Sequence, residues 1–306
     1  MVVEKKLLIE IPHKRDNKPL VVAVLVLYFP DREVSARISA IAKQVDAVVF
    51  VDNSGTGNFF LLPAELSALS IHCIQNSENL GVATALNQGL AWAQQAGATF
   101  ALLLDQDTEP LPDMVASLMR IHDHYVENSG KVIVGSNYIN GLGKVQFPCP
   151  DRVEWISRKT VITAGTLLSV DVFRTLGPFR EEFFIDAVDT EYCLRAVQNG
   201  IGVIMTCAPL IRHAIGYQKR HRLLWKKTAV SNHSALRRYY MAKNNMRLKC
   251  EYWRSEPRWS ARKTLYLAKT LALILLFEVD KSSKIAAFGR GVLHGALGKG
   301  RHHEGR

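Results

Sequence analysis

A chain of 306 residues with 48% apolar content can bury a full core, which excludes a disordered protein and fits one large α/β domain with appendages, or two domains. Its net charge of +11 is unevenly placed: residues 211–306 hold 22 Lys and Arg against 5 Asp and Glu, while residues 1–210 hold 17 against 23. The basicity of the last third suggests an anionic partner, either nucleic acid or a membrane surface.

Residues 1–18 form a polar N-terminal extension whose apolar residues are broken by charges every few positions, so it lacks the apolar stretch of a signal peptide and the protein is expected to stay in the cytosol. The five cysteines (Cys73, Cys149, Cys193, Cys207 and Cys250) are odd in number and form no C-x-x-C pair. That pattern argues for reduced thiols and against a zinc site or disulfide framework.

"PLVVAVLVLYFP" (19–30) is a continuous β-branched and apolar run, the signature of a parallel strand buried on both faces. Residues 32–45 follow with Val34, Ile38, Ile41 and Val45 at helical spacing. "AVVFVDNSGTGN" (47–58) is a second buried strand ending in Asp52 and Asn53, and residues 71–81 hold a short third strand. An Ala-rich helix over 81–97 is stopped by Gly97, and a fourth strand over 99–104 runs into Asp105 and Asp107. This succession of buried strands joined through helices requires a doubly wound, mostly parallel sheet with right-handed crossovers. Residues 131–210 continue with strands over 131–139, 161–170 and 202–206 and a helix over 189–200.

Ligands of such sheets lie over the carboxyl ends of the strands. Tyr28, Asp52, Asn79 and the Asp105/Asp107 pair therefore share one crevice. A strand-end D-x-D can cap a turn, hold a divalent cation that binds phosphate, or carry the aspartyl nucleophile of a phosphatase. The clustering favours a ligand site over a cap. The phosphatase pattern wants Thr or Val at the fifth position of an early strand, where "DQDTEP" has Glu109 on the fourth. A dinucleotide-binding G-x-G-x-x-G is excluded, because "LYFPDREV" follows the first strand without a glycine.

In the basic tail, residues 264–279 run sixteen residues whose interior is interrupted by Lys269, with Glu278 next to the end. That is short for a membrane span but suits an interfacial helix flanked by Arg258, Arg262, Lys263, Lys281 and Lys284. The competing reading is a buried helix closing the domain. Nucleic acid is disfavoured as the partner, since no RNP-like strand or G-x-x-G loop accompanies the basic residues.

The motifs "VDNSG", "ENLGVATALNQGL", "LLLDQDTEP" and "FFIDAVDTEYCLR" resemble, in order and spacing, the family 2 inverting glycosyltransferases. "RHAIG", "HSALRRYYMAKNN" and "GRGVLHGALGKG" narrow the resemblance to bacterial dTDP-rhamnosyltransferases of O-antigen and polysaccharide assembly, over roughly residues 20–300. The resemblance implies a GT-A (nucleotide-diphospho-sugar transferase) fold over residues 19–215 and a basic helical region over 216–306 that associates with a membrane. It implies transfer of L-rhamnose from dTDP-L-rhamnose to a polyprenyl-diphosphate-linked oligosaccharide, by an enzyme peripheral on the inner face of the bacterial plasma membrane. A UDP-galactose-type donor and a non-catalytic membrane adaptor stand as alternatives.

By the same resemblance Asp52 accepts from the pyrimidine ring N3–H, Tyr28 and Pro30 wall the ring, and Asn79 and Gly81 complete the nucleotide site. Asp107 holds Mg²⁺ or Mn²⁺, and Asp105 faces the ribose or supports the metal. His213 approaches the metal or diphosphate, or is simply packed. Asp189 is the general base, with Asp186 as rival and Glu191 as the acidic residue two positions on. Arg195 forms a helix-surface ion pair with Glu191. Arg237 and Arg238 hold a diphosphate or lie on a solvated basic face. Many relatives carry an arginine in the helix after "NLG" where this chain reads Ala83, Thr84, Ala85, Leu86 and Asn87, which moves phosphate charge onto the metal and the C-terminal cations. The loop over 137–159 is expected to close over donor or acceptor.

Overall fold

The computed structural model describes residues 18–55, 70–213, 219–223, 226–230 and 232–298. The expected extension over 1–18 lies almost wholly outside them. The chain divides into two compact units, one of residues 1–180 with 192–214, the other of residues 181–191 with 215–306.

In the first unit β1 (Val21–Leu27), β2 (Ala47–Asp52), β3 (Ser70–Gln75) and β4 (Phe100–Asp105) are parallel neighbours in the order β3-β2-β1-β4. Every residue of β1 is buried, as its unbroken apolar run requires of a strand covered on both faces. α1 (Val34–Ala42) buries Val34, Ile38 and Ile41, one residue per turn on a single stripe. α2 (Val82–Gln95) buries Ala83, Ala85, Leu86, Leu90 and Ala93. The register sets Leu27 opposite Asp52, Asp52 opposite Gln75, and Val26 opposite Asp105, so all four strands end at one level. Every polar residue that follows an apolar run is thereby delivered to the same edge of the sheet.

The rest of the sheet is mixed. After a two-residue β5 (Glu109–Pro110) and α3 (Met114–Ser129) come β6 (Val132–Ile139), β7 (Trp155–Ser157), β8 (Thr166–Ser169), α4 (Val170–Leu176), α5 (Val188–Gln198) and β9 (Gly202–Arg212). β8 lies between β4 and β6, antiparallel to both, and β6 pairs in parallel with β9. α3 is absent from the expected elements, although Met114, Val115, Leu118 and Ile121 bury one helical stripe.

One expectation about the cysteines is corrected. Cys149 and Cys207, 58 residues apart, form a disulfide with their Cα atoms 5.5 Å apart. β7 pairs with β9, and the Cys207 N–H donates to the Glu154 carbonyl at 2.7 Å, which brings the 140–155 loop against that strand. The buried Asn137 amide fastens the same loop by donating to the carbonyls of Phe147 (2.7 Å) and Cys207 (3.1 Å).

In the second unit an antiparallel pair, β10 (Lys219–Leu223) with β11 (Lys226–Val230), precedes α6 (Ala235–Tyr252), α7 (Pro257–Phe277) and α8 (Lys281–Ala296). Ser234 caps α6 by accepting from the Arg237 N–H. The glycines of "GRGVLHG" explain how closely α6 and α8 pack: a Cβ at Gly291 would lie 2.4 Å from the Tyr239 carbonyl oxygen, and one at Gly295 2.3 Å from that of Lys243. Ala242, Leu267, Ile274 and Phe288 form the small core between the helices. Beside it a buried ion triad joins Arg238 to Glu278 and Glu278 to Lys284, the latter at 3.2 Å, with the lysine also on Asn232. Removing one member of such a triad strands a buried charge, a loss of about 3–5 kcal/mol.

α7 carries most of the apolar tail. It buries Leu267, Thr270 and Ile274 on one side and exposes Leu265, Leu275 and Leu276 on another, with Val279 just beyond its end. Among the described residues no helix is long and apolar enough to cross a membrane.

Candidate functional site

The strand ends of the first unit assemble a polar floor. Asp52, buried at the end of β2, accepts from the Ser54 N–H with Oδ1 (2.8 Å). The Tyr28 N–H donates to Gln106 Oε1 (2.7 Å), and the Phe29 N–H to Ser54 Oγ (2.8 Å), so the loop after β1 is tied to those after β2 and β4. Tyr28 and Phe29 are both exposed, their rings edge to face at 4.7 Å, and Phe29 sits at φ +47 in the left-handed region. Pro30 follows them, partly exposed. The sequence expectation paired Tyr28 with Pro30 and passed over Phe29, which no local pattern marks.

Buried amides lock this floor. Asn53 Nδ2 donates to the Gly81 carbonyl (3.0 Å), Asn76 Nδ2 to Asn53 Oδ1 (2.7 Å), and Asn76 and Gln88 exchange bonds at 2.9 Å. Gly81, at φ +86, starts α2, and its N–H is held by Asn79 Oδ1 (2.9 Å). Asn79 therefore shapes the turn on which Gly81 sits. No side chain caps α2, and its first turn, from Val82 to Ala85, carries no charge.

In "DQD" the middle residue is the structural one. Gln106 supports Tyr28 with its side chain, and its carbonyl accepts from Arg37 at 3.0 Å; Arg37 also binds Asp31 (2.9 Å) and Glu33 (2.8 Å). The hydrogen bond and charge of Arg37 hold the Asp31 carboxyl below its ordinary pKa. The two flanking carboxylates join His213: one ligand atom from each of Asp105, Asp107 and His213 lies within 4.8 Å of the other two. His213 Nδ1 is buried without a hydrogen-bond partner, 3.5 Å from Asp107 Oδ1. A buried nitrogen left unbonded beside two carboxylates suits a divalent cation, so Asp105, Asp107 and His213 fit Mg²⁺ or Mn²⁺. A cavity of about 620 Å³ lined by Arg37, Asp107, Asn140, Arg212 and His213 opens beside this trio.

Asp186, Asp189, Glu191, Arg237 and Arg238 lie in the second unit, and Arg195 in the first. Phe184, Asp186 and Ala187 adopt φ of +47, +65 and +64, each costing on the order of 1–2 kcal/mol for a non-glycine residue. Asp186 is engaged by Arg237, with contacts of 3.3 and 3.4 Å. Asp189 Oδ1 accepts from the Thr190 N–H (2.6 Å) and hydroxyl (3.2 Å). Burial pushes the Asp189 carboxyl above the ordinary carboxylate range; the Thr190 bonds and the Lys263 charge oppose that, and Asp186 reinforces it. Lys263, whose ammonium lies over the rings of Trp259 (5.1 Å) and Tyr266 (5.4 Å), is depressed by its own burial and partly restored by Asp189. Of the two rival carboxylates, Asp186 is paired with an arginine, whereas Asp189 has its proton affinity raised by burial.

Glu191 is buried at 1% exposure. Arg195 donates to the carbonyls of Leu176 (2.6 Å) and Pro178 (2.9 Å) and lies over Tyr192, a role its i+4 spacing from Glu191 did not indicate. Arg238 is absorbed by the buried ion triad, so Arg237 is the exposed member of the pair. Sequence reasoning missed Lys263 as the cation facing Asp189, since they are 74 positions apart.

Residues 32–181 match the family described as Glycosyl transferase family 2. The chain is 30% identical over 237 residues to the dTDP-rhamnosyl transferase RfbF of Shigella flexneri, covering 72% of this chain and 77% of the relative. Among solved structures, S. aureus TarS residues 1–349 align with a TM-score of 0.57 at 12% identity, over 92% of this chain and 83% of that one. GalNAc-T7, crystallised with UDP, GalNAc and Mn²⁺, aligns with a TM-score of 0.50 at 14% identity, over 67% of this chain and 44% of that one.

Proposed function

The chain belongs to glycosyltransferase family 2, and we propose that it transfers L-rhamnose from dTDP-L-rhamnose to a polyprenyl-diphosphate-linked oligosaccharide during cell-surface polysaccharide assembly. The observation that carries this reading is the convergence of Asp105, Asp107 and His213 at the strand edge that also bears Asp52 and Tyr28. A nucleoside diphosphate needs a base-binding end and a cation-binding end, and this edge offers both. The name of the Shigella relative supports dTDP-rhamnose over other donors.

The reaction is a single displacement with inversion. Asp189 takes the proton of the acceptor hydroxyl as its oxygen bonds to the anomeric carbon. The bond from that carbon to the diphosphate oxygen breaks, and its electron pair leaves with dTDP. Mg²⁺ or Mn²⁺, when bound to Asp105, Asp107 and His213, neutralises the charge that develops on the departing diphosphate. Asp52 accepts from the pyrimidine N3–H, and Tyr28, Phe29 and Pro30 flank the ring. Arg237 offers charge to a diphosphate or a lipid pyrophosphate.

The test is the thermal stability of the protein with Mn²⁺ or Mg²⁺ and each of dTDP, UDP, GDP and ADP, since ligand bound to the folded state raises the melting temperature. A metal-dependent rise of several degrees with dTDP, larger than with the others, is expected. A preference for UDP would point to a galactosyl-type donor. No rise with any nucleotide would leave the adaptor reading.

We further propose that α7 attaches the enzyme to the anionic inner leaflet through Leu265, Leu275, Leu276 and Val279, with Arg258, Arg262, Lys269 and Lys281 meeting lipid headgroups. Co-flotation with phosphatidylserine vesicles should fall at least about tenfold when Leu265, Leu275 and Leu276 become serine, and should weaken with salt. Unchanged flotation of the triple variant would sink the idea.

A further inference from the structure

The segment that carries Asp186 and leads into Asp189 is bent through three left-handed, non-glycine residues, Phe184, Asp186 and Ala187. Asp tolerates the left-handed region, but Phe184 and Ala187 do not favour it, so contacts from elsewhere must hold the path. The bend turns its carbonyls inward, and those of Phe183, Ile185 and Asp186 converge on the side-chain amide of Asn244, at 2.7, 2.9 and 2.8 Å from Nδ2. Asn244 is 1% exposed, 58 residues downstream on α6. An amide nitrogen has two hydrogens, shared here among three acceptors, so one side chain satisfies the inner face of the whole turn.

The same face of α6 completes the grip. Arg237, Tyr240 and Lys243, spaced with Asn244 along one helical stripe, hold the Asp186 carboxylate, stack on Phe184 at 4.9 Å and bond the Glu182 carbonyl at 3.1 Å, respectively. The consequence reaches α5 directly: the Glu191 N–H bonds the Ala187 carbonyl at 2.9 Å, so the last left-handed residue sets the first turn on which Asp189 stands.

We infer that Asn244 is a positioning residue, holding the left-handed 184–187 turn in the shape that fixes Asp189. This inference rests on the reading of Asp189 as the general base. A carboxylate displaced by about 1 Å loses on the order of 100-fold in rate, without any change at the nucleotide.

The experiment compares Asn244→Ala, Asp189→Asn and the double variant Asn244→Ala/Ala187→Gly in donor kinetics, with the dTDP- and Mn²⁺-induced melting shift measured for each. Asn244→Ala is expected to lower kcat about 100-fold, with donor KM within about twofold and the nucleotide-induced shift retained. Glycine adopts a φ near +64 without support, so Ala187→Gly in that background should recover about tenfold or more of kcat. Wild-type kcat in Asn244→Ala, loss of the nucleotide shift together with kcat, or no recovery in the double variant would each overturn the positioning role. Full activity of Asp189→Asn would instead remove the base reading itself, an outcome distinct from these three.

Discussion

Asp189→Asn should abolish most turnover while leaving a protein at least as stable as the parent. General-base catalysis contributes roughly 10²–10⁴-fold, and the amide keeps the shape but cannot take the acceptor proton. The stability follows from linkage. The Asp189 carboxyl is raised in the folded protein, chiefly by burial, so the folded state binds more protons than the unfolded one between the ordinary and the raised pKa. Stability from this group is therefore lost as pH rises through that window, and at neutral pH the ionised carboxylate costs the fold something. The amide bears no charge, and its oxygen can still accept from the Thr190 N–H and hydroxyl. A rise in melting temperature at neutral pH, vanishing in acid, is the expected companion of the lost rate.

The same shift fixes the pH profile of the parent enzyme. The base works deprotonated, so kcat/KM should fall tenfold per unit on the acid side, with an inflection above the ordinary carboxylate range. Because Lys263 is the cation that opposes the rise, Lys263→Met should move the inflection further up. A rate for Asp189→Asn within a few-fold of the parent, or an acid limb at the ordinary carboxylate position, would move the base role away from this residue.

The sheet was legible because its information is local. Strands buried on both faces read as unbroken apolar runs, and the residue that ends each run must emerge at the same edge, which is why Asp52, Asp105 and Asp107 could be grouped before any coordinates. His213 could be grouped with them only through family resemblance, because the antiparallel pairing of β5 with β9 sets Glu109 opposite Arg212 and carries the next residue to Asp107. Asn53, Asn76 and Gln88 look like loop and helix-surface residues in sequence, yet they form one interior amide network. The Cys149–Cys207 bond depends on strand pairing across 58 residues, and an odd cysteine count is a weak guide to it. "RRYYMAKNN" gave its cations away but not their destinations: Arg237 faces Asp186, Arg238 is consumed by Glu278, and Asn244 closes on three carbonyls. Composition says that a helix is basic, whereas only packing says which of its charges remain available.

Asp107→Asn should separate metal chemistry from folding at the other end of the reaction. The Asp107 side chain is 48% exposed, so replacing it should change the melting temperature of the ligand-free protein little, within roughly 0.5 kcal/mol of stability. It does, however, remove one of three ligands from a trio in which His213 Nδ1 has no hydrogen-bond partner of its own. Asp105 and His213 alone leave a divalent cation held by fewer donors and with less compensating charge, so the dTDP-induced melting shift measured in Mn²⁺ should collapse to the value seen in EDTA. Turnover should fall about 10³-fold, the scale on which electrostatic stabilisation of a developing anion acts in a protected site. His213→Ala should weaken the Mn²⁺-dependent shift in the same direction but less, since the two carboxylates and their charge remain. If the Asp107→Asn protein instead keeps its full Mn²⁺-dependent shift and its rate, the D-x-D pair is a turn cap after all. The leaving diphosphate would then have to be neutralised by a cation held elsewhere or by side chains such as Arg212 and Arg37 that line the adjoining cavity.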